Sequence, residues 1–349
     1  MLRRKKQFLC TWLMVMALNV APAYADADLC EGCQSPVVPS WSEADIQHLI
    51  ARIGWAAQQQ DFSGRYIISQ ADQLLALHTT HIFTDEVEYE LVTTLTGDKL
   101  QVFRRDDAYY SIDVQAGKVL FERQSSTQLF PFWGKPGYGW ADQFYTLSVL
   151  GTERFLNRDT DVIQVIPRDD KRFGYKVWLD RETGLLLRLE VEETQGLALQ
   201  RFMFTEIELQ SATEAQKSEL VHYIDTLEAE NFQTTEWPFV YGSAQEQGWQ
   251  LTRLPRGFES VTCVLRDLPN EEQKLMQWVF SDGVATVSVF IEHRPGSDEH
   301  EAGTLMQNGA THGIFYPFEE WKVTLVGEVP EKTLYEFASA LRRISTEEK

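Results

Sequence analysis

The chain has 349 residues, 52 of them acidic and 32 basic, for a net charge of −20. That balance excludes a nucleic-acid binder, since a phosphate backbone needs a basic face, and it favours basic partners instead. The length suggests two domains.

The first 25 residues read as a secretory signal. Arg3, Arg4, Lys5 and Lys6 form a basic start, Phe8 to Val20 an apolar core, and Ala23-Tyr24-Ala25 a small-x-small cleavage site. The apolar run is shorter than the ~20 residues that span a bilayer. Leu29 before Cys30 argues against a lipoprotein site. Export to the periplasm of a Gram-negative-type cell is the expected destination. Residues 1–25 hold four basic and no acidic groups, so the remainder has 28 basic against 52 acidic groups, a net of −24.

In the lead-in 26–41, Cys30-Glu-Gly-Cys33 can close a small disulfide in an oxidising compartment. Redox chemistry would need the pair at a helix start after a strand, and zinc would need more ligands. Cys263, in an apolar strand-like run, reads as a buried small hydrophobe.

The larger domain, 42–210, opens with a helix: Ser42 and Asp45 suit a cap, and Ile46, Leu49, Ile50 and Ile53 keep helical spacing. Strands are expected at Phe62–Ser69, Leu74–Phe83, Tyr89–Leu95, Leu100–Arg105, Tyr109–Val114 and Lys118–Arg123. After an aromatic, Gly/Pro-interrupted loop (Leu129–Trp140) come Val162–Ile166, Phe173–Leu179, Leu185–Glu192 and Leu199–Glu208. Such a meander tends to curl on itself. Its inward face is assigned Tyr66, Phe83, Tyr89, Phe103, Trp178 and Leu187. Residues 211–247 read as a polar connector with a short helix at Ser218–Leu227. In the smaller domain, 248–349, Val284–Ile291 and Trp321–Val326 are strands, and Pro330 starts a helix striped by Leu334, Phe337, Ala338 and Leu341. The fold class is therefore α+β, mainly antiparallel β: a half-open barrel with a helix, plus a smaller sheet and helix.

Pro167 to Glu190 is the most specific stretch. It reads as a charged turn, a strand, a Gly-containing turn and a second strand, an antiparallel hairpin. Its residue order resembles the MucB/RseB family, periplasmic regulators of an envelope-stress sigma factor, whose signature PRD-x-x-R-x-GY-x-x-WLD-x-x-TGL is matched at every position. Phe62-Ser63-Gly64, His81, Tyr89-Glu90, Leu95-Thr96-Gly97, Val102 and Arg104 follow the family's spacing, with Phe62 standing for Tyr and Leu91 for Arg. Leu254-Pro255-Arg256-Gly257-Phe258, the run from Ser281-Asp282-Gly283 to Phe290, and Gly327-Glu328-Val329-Pro330 continue the resemblance in order.

The resemblance implies a larger domain similar to LolA-type lipoprotein carriers. It also implies a negative regulator that binds the periplasmic part of a single-span anti-sigma factor (RseA/MucA-like) and shields it from proteolysis. Release would follow an acylated lipid or lipopolysaccharide-like signal. A homodimer is compatible with this, and no cofactor is implied.

A partner surface is assigned to Arg168, Asp169, Arg172, Tyr175 and Glu328. The competing reading of Arg168, Asp169 and Arg172 is that Asp169 caps the turn and the arginines hold it. A ligand cleft is assigned to Phe130, Phe132, Trp133, Tyr138, Trp140 and Trp178, against the alternative of ordinary core. An enzyme is disfavoured: no Gly-x-Ser-x-Gly, His-Glu-x-x-His or phosphate loop is present. His78 and His81 fall on opposite faces of one strand, and Asp106-Asp107 and Asp169-Asp170 read as solvated turns. A lipid or lipoprotein carrier is the alternative function.

Overall fold

The computed structural model describes residues 53, 55–123, 143–193, 196–267, 274–293 and 305–344. Cys30, Cys33, most of the expected first helix, and the cleft residues Phe130, Phe132, Trp133, Tyr138 and Trp140 lie outside the described residues.

Helix α1 (55–59) leads into a large sheet. Its first six strands run consecutively: β1 (Phe62–Gln70), β2 (Gln73–Thr84), β3 (Val87–Thr94), β4 (Leu100–Arg105), β5 (Ala108–Asp113) and β6 (Lys118–Arg123). Five more are β7 (Tyr145–Phe155), β8 (Arg158–Pro167), β9 (Gly174–Asp180), β10 (Leu186–Glu192) and β11 (Ala198–Glu208). Helices α2 (Glu214–Val221) and α3 (Tyr223–Ala229) precede β12 (Gln233–Glu236). Among the described residues the order across the sheet is β12-β6-β5-β4-β3-β2-β1-β11-β10-β9-β8-β7, antiparallel except for β12 beside β6. Among those residues neither end strand pairs onward, so the sheet is open there.

The inner face carries one core. Phe62, Tyr66, Leu77 and Val92 join Val149, Ile163, Val177, Leu187, Leu189 and Phe204, with Ala56 of α1 against them. Strands β3 and β7, seven positions apart in the strand order, thus share one interior. The sheet is curled around its helix into a half-barrel, as the meander predicts.

The outer face behaves differently from its sequence reading. Tyr89 and Phe103 point outward, with Ile82, Ile112 and Val119, beneath Leu220 and Leu227 of α2 and α3. Trp178 also lies outside: it pairs with Arg188, whereas its neighbour Val177 pairs with inward Leu189. Its ring is capped by the Arg188 guanidinium at 4.1 Å and the Lys176 amine at 4.8 Å, and its indole N–H donates to Glu153 at 2.8 Å. Trp178 therefore does not line an interior cleft. Strand parity decides the matter, since one residue of register exchanges the faces. Tyr66 and Leu187 are inward as expected.

The polar segment 211–247 is more structured than its composition suggests. Thr213 and Gln216 form a reciprocal cap for α2, and burying Leu220 and Leu227 contributes roughly 1.5–3 kcal/mol each. The segment also lends a strand to each sheet. After β12, only Trp237 and Pro238 separate it from β13 (Phe239–Tyr241) of the second sheet.

The second sheet comprises β13, β15 (Glu259–Asp267), β16 (Lys274–Ser281), β17 (Thr286–His293), β18 (Leu305–Asn308), β19 (Thr311–Phe318) and β20 (Trp321–Gly327), in the order β13-β15-β16-β17-β20-β19-β18. Helix α4 (Glu331–Ala340) covers it with Leu334, Phe337 and Ala338, as its stripe predicts, and β14 (Trp249–Leu251) pairs with β21 (Leu341–Arg343). Cys263 is buried in β15, and desolvation pushes its thiol up to about 11.

Candidate functional site at the domain junction

The signature hairpin is explained locally. Asp180 Oδ1 accepts from the amides of Glu182 (3.1 Å) and Thr183 (2.8 Å) and from the Thr183 hydroxyl (2.9 Å). Gly184 sits at φ 83°, where a side chain would be strained. Upstream, Asp169 Oδ1 accepts from the Lys171 amide at 3.0 Å, and Arg168 Nε donates to the Tyr145 carbonyl at 3.0 Å. Those two contacts are the turn-capping geometry weighed from sequence.

Arg172 points elsewhere. Its side chain is 0 % exposed and crosses to the second domain, where Nε lies 3.0 Å from Oδ2 of Asp282, also 0 % exposed. Nη1 lies 3.3 Å from Asp169, and Nη2 donates to the Arg256 carbonyl at 2.7 Å. The guanidinium is boxed by the rings of Phe144 (4.6 Å), Phe258 (5.4 Å) and Tyr145 (5.6 Å). The Tyr145 hydroxyl donates to Asp282 at 3.0 Å. Asp282 is aimed by its own turn, its other oxygen accepting from the amides of Val284 (2.9 Å) and Ala285 (2.7 Å).

Four signatures far apart in the chain therefore meet. The Arg168–Tyr175 turn faces Ser281–Ala285, the Arg256–Phe258 loop and the start of α4. Lys171 Nζ reaches Glu336 at 2.6 Å, Thr333 Oγ1 donates to the Lys171 carbonyl at 2.6 Å, and Lys332 pairs with Asp170. Nearby, the β18–β19 turn closes on the end of the half-barrel. Ala310 is fully buried in the first domain's core, Val284 packs against that core, and Gln70 binds Asn308 and Thr311. At Gly309, φ is +55° and an added Cβ would stand 2.9 Å from the Leu199 carbonyl oxygen.

A separate contact joins the domains at the other sheet edge. Arg266 of β15, 4 % exposed, pairs with Glu122 of β6 at 2.9 Å, flanked by Trp237 (4.7 Å) and Phe239 (5.1 Å).

Burial sets the electrostatics. Desolvation raises the Asp282 carboxyl, with Arg172 opposing, and raises Glu328 with no opposing cation. It also lifts Tyr145 and Tyr175, the latter aided by Glu328. Of the five residues assigned to a partner surface, Arg172 and Tyr175 are buried here and meet the second domain or the core. Asp169 and Glu328 are half-buried, and Arg168 is exposed. Asp282 is marked in sequence only within the Ser281-Asp282-Gly283 signature, and Tyr145, Phe144 and Gly309 lie in none of the signatures.

A second charged cluster lies inside the larger domain, again on residues the resemblance selects. His81 stacks on Phe62 at 4.9 Å, with Nδ1 2.9 Å from the Gln60 carbonyl and Nε2 3.0 Å from Glu88. Arg104 bridges Glu88 and Glu90, the latter at 3.2 Å, and Thr79 donates to Glu90 at 3.3 Å. Desolvation works against Glu88, yet Arg104 and His81 hold its carboxyl down at about 2. His78 lies on the other face, against Ser63.

Fold and junction together define a two-domain β protein: an open, curled sheet around a helix, clasped by a smaller sheet-and-helix domain. The family model described as the MucB/RseB N-terminal domain matches residues 45–224, and that of the MucB/RseB C-terminal domain matches 243–342. The chain belongs to the MucB/RseB family. Its relatives include the sigma factor AlgU regulatory protein MucB of Pseudomonas aeruginosa, 27 % identical over 310 residues, covering 87 % of this chain and 93 % of the relative. The sigma-E factor regulatory protein RseB of Haemophilus influenzae is 24 % identical over 304 residues, covering 85 % and 90 %. The solved complex of Pseudomonas aeruginosa MucA/MucB has a TM-score of 0.65 at 25 % identity, covering 86 % of this chain and 100 % of that one. MucB in complex with MucA(peri) gives 0.63 at 24 %, covering 86 % and 99 %, and shares the fold. No helix among the described residues is long and apolar enough to cross a membrane.

Proposed function

We propose that this protein is an exported, periplasmic regulatory binding protein and not an enzyme. It holds the periplasmic part of a single-span anti-sigma factor, shields that segment from proteolysis, and so restrains a sigma-E-type envelope-stress response. The observation that carries the reading is the match of both family domains in order, together with a fold shared with MucB in its MucA complex. Export rests on the signal at residues 1–25. Both domains, 42–210 and 248–349, contribute to the partner surface, with Arg168, Asp169 and Glu328 at its margin. An acylated lipid or lipopolysaccharide-like ligand weakens the complex from the unclosed half-barrel, whose interior is apolar.

The test uses residues 26–349 and the periplasmic segment of the single-span membrane protein encoded beside a sigma factor. Binding by titration, and slower cleavage of that segment by its site-specific protease, are the expected results. Absence of binding together with unchanged cleavage would overturn the regulator and leave a lipid or lipoprotein carrier.

A further inference from the structure

We propose that the Arg172–Asp282 contact is a releasable latch, and that the two domains part there by pivoting about Trp237–Pro238. The inference concerns the motion of this chain and does not depend on which partner it holds.

The latch end is buried but poorly satisfied. Nε and Nη1 of Arg172 lie within ion-pair distance of Asp282 and Asp169, yet among the described residues neither makes an aligned hydrogen bond. A guanidinium without water wants its donors matched, and a buried ion pair must offset the desolvation of both charges. Desolvated Glu328 adds acid without a cation to balance it. Parting the domains rehydrates all these groups. Opposing that gain is the apolar closure by Ala310, Phe258 and Phe173. Two sizeable terms of opposite sign leave a small difference, which is what a latch requires.

The other end is built to stay. Strands β12 and β13 belong to different sheets and are joined by two residues, and Arg266 pairs with Glu122 between flanking rings. Rotation is confined to Trp237–Pro238, while the β18–β19 turn, Ser281–Ala285 and the start of α4 swing away. That swing withdraws Ala310 and Val284 from the half-barrel and uncovers its apolar interior. The smaller domain thus touches both flanks of the open sheet, β6 and the β8–β9 turn, and braces the gap until the latch lets go.

Hydrogen–deuterium exchange on residues 26–349 tests this with two independent openers, Arg172→Gln and Gly309→Ala. The second leaves the ion pair intact and wedges the turn off Leu199. Each should speed exchange at least tenfold at 283–285 and 309–311. Interior amides of Phe204, Leu189, Val289 and Leu325, and the β12 amides, should keep wild-type rates. Carbodiimide coupling of Lys171 to Glu336 should restore slow exchange in Gly309→Ala, and Lys171→Gln should abolish that rescue. Unchanged junction rates in both variants overturn the latch. Acceleration spreading into the sheet interiors shows a folding defect and overturns it too, whereas loss of β12 protection overturns the pivot.

Discussion

Two buried charge clusters, one inside the larger domain and one between domains, make opposite use of similar residues. Around Glu88, an arginine and a histidine surround the carboxylates, hydrogen bonds are made, and the Glu88 carboxyl is held at about 2. Around Arg172, two guanidinium nitrogens lack aligned acceptors among the described residues, and Asp282 and Glu328 are raised. The first stabilises one arrangement of one sheet. The second tolerates separation, because water would serve its groups better. Burial alone does not distinguish a structural ion pair from a mobile one; completeness of hydrogen bonding does.

The sharpest way to break the comparison is to remove the cation from the first cluster. Arg104→Ala leaves Glu88 and Glu90 uncompensated and should lower unfolding stability by about 3–5 kcal/mol in urea titrations. A drop under about 1 kcal/mol would mean that the cluster is slack after all.

Acid should act next. Glu88 has its folded value depressed from the ordinary 4.5 to about 2, so its stabilisation is present above the unfolded value and lost as pH falls toward about 2. The loss is on the order of 3 kcal/mol, and Glu88→Gln should flatten that acid limb. Asp282 and Glu328 run the other way. Their folded values are raised, so their contribution is fully present below the unfolded values and is lost as pH rises through the folded ones. Protection at 283–285, corrected for intrinsic exchange, should therefore weaken above the ordinary carboxylate range, and a rise with pH would contradict the assignment.

Replacing the pair by apolar groups sharpens the contrast. Arg172→Met with Asp282→Leu should be neutral or stabilising by about 1–4 kcal/mol, and should slow junction exchange below the wild-type rate. The smallest effect belongs to the rim: Lys332→Gln, breaking the pair with exposed Asp170, should leave the thermal denaturation midpoint unchanged within error.

Sequence made the meander legible where alternation is clean, as in β1 to β6 and the β9–β10 hairpin. It hid β7, which Gly151 interrupts at φ 135° and which turns into β8 through Leu156 and Asn157, both at positive φ; a leucine there carries no turn signal. It also hid β16, whose apolar run lacks a clear period, and marked β15 only as a strand-like run around Cys263. The inward assignment of Tyr89, Phe103 and Trp178 failed because composition marks a residue as buried without saying on which face. Trp178 is buried on the outside beneath the charged heads of Arg188 and Lys176. The junction was legible only in pieces. Arg172 and Asp282 each sit in a recognisable signature, but their meeting depends on how two sheets are mounted, which local spacing does not encode.

A chain that emerges from its N-terminus first acquires β1 to β6 well before α2, α3 and β12 follow. In that interval Ile82, Tyr89 and Phe103 have no helical cover, and the outer edge of β6 has no neighbour. Asp282 and Glu336 arrive later still. The nascent protein therefore passes through a stage with both an apolar patch and a raw strand edge in view, the surfaces a holding chaperone recognises.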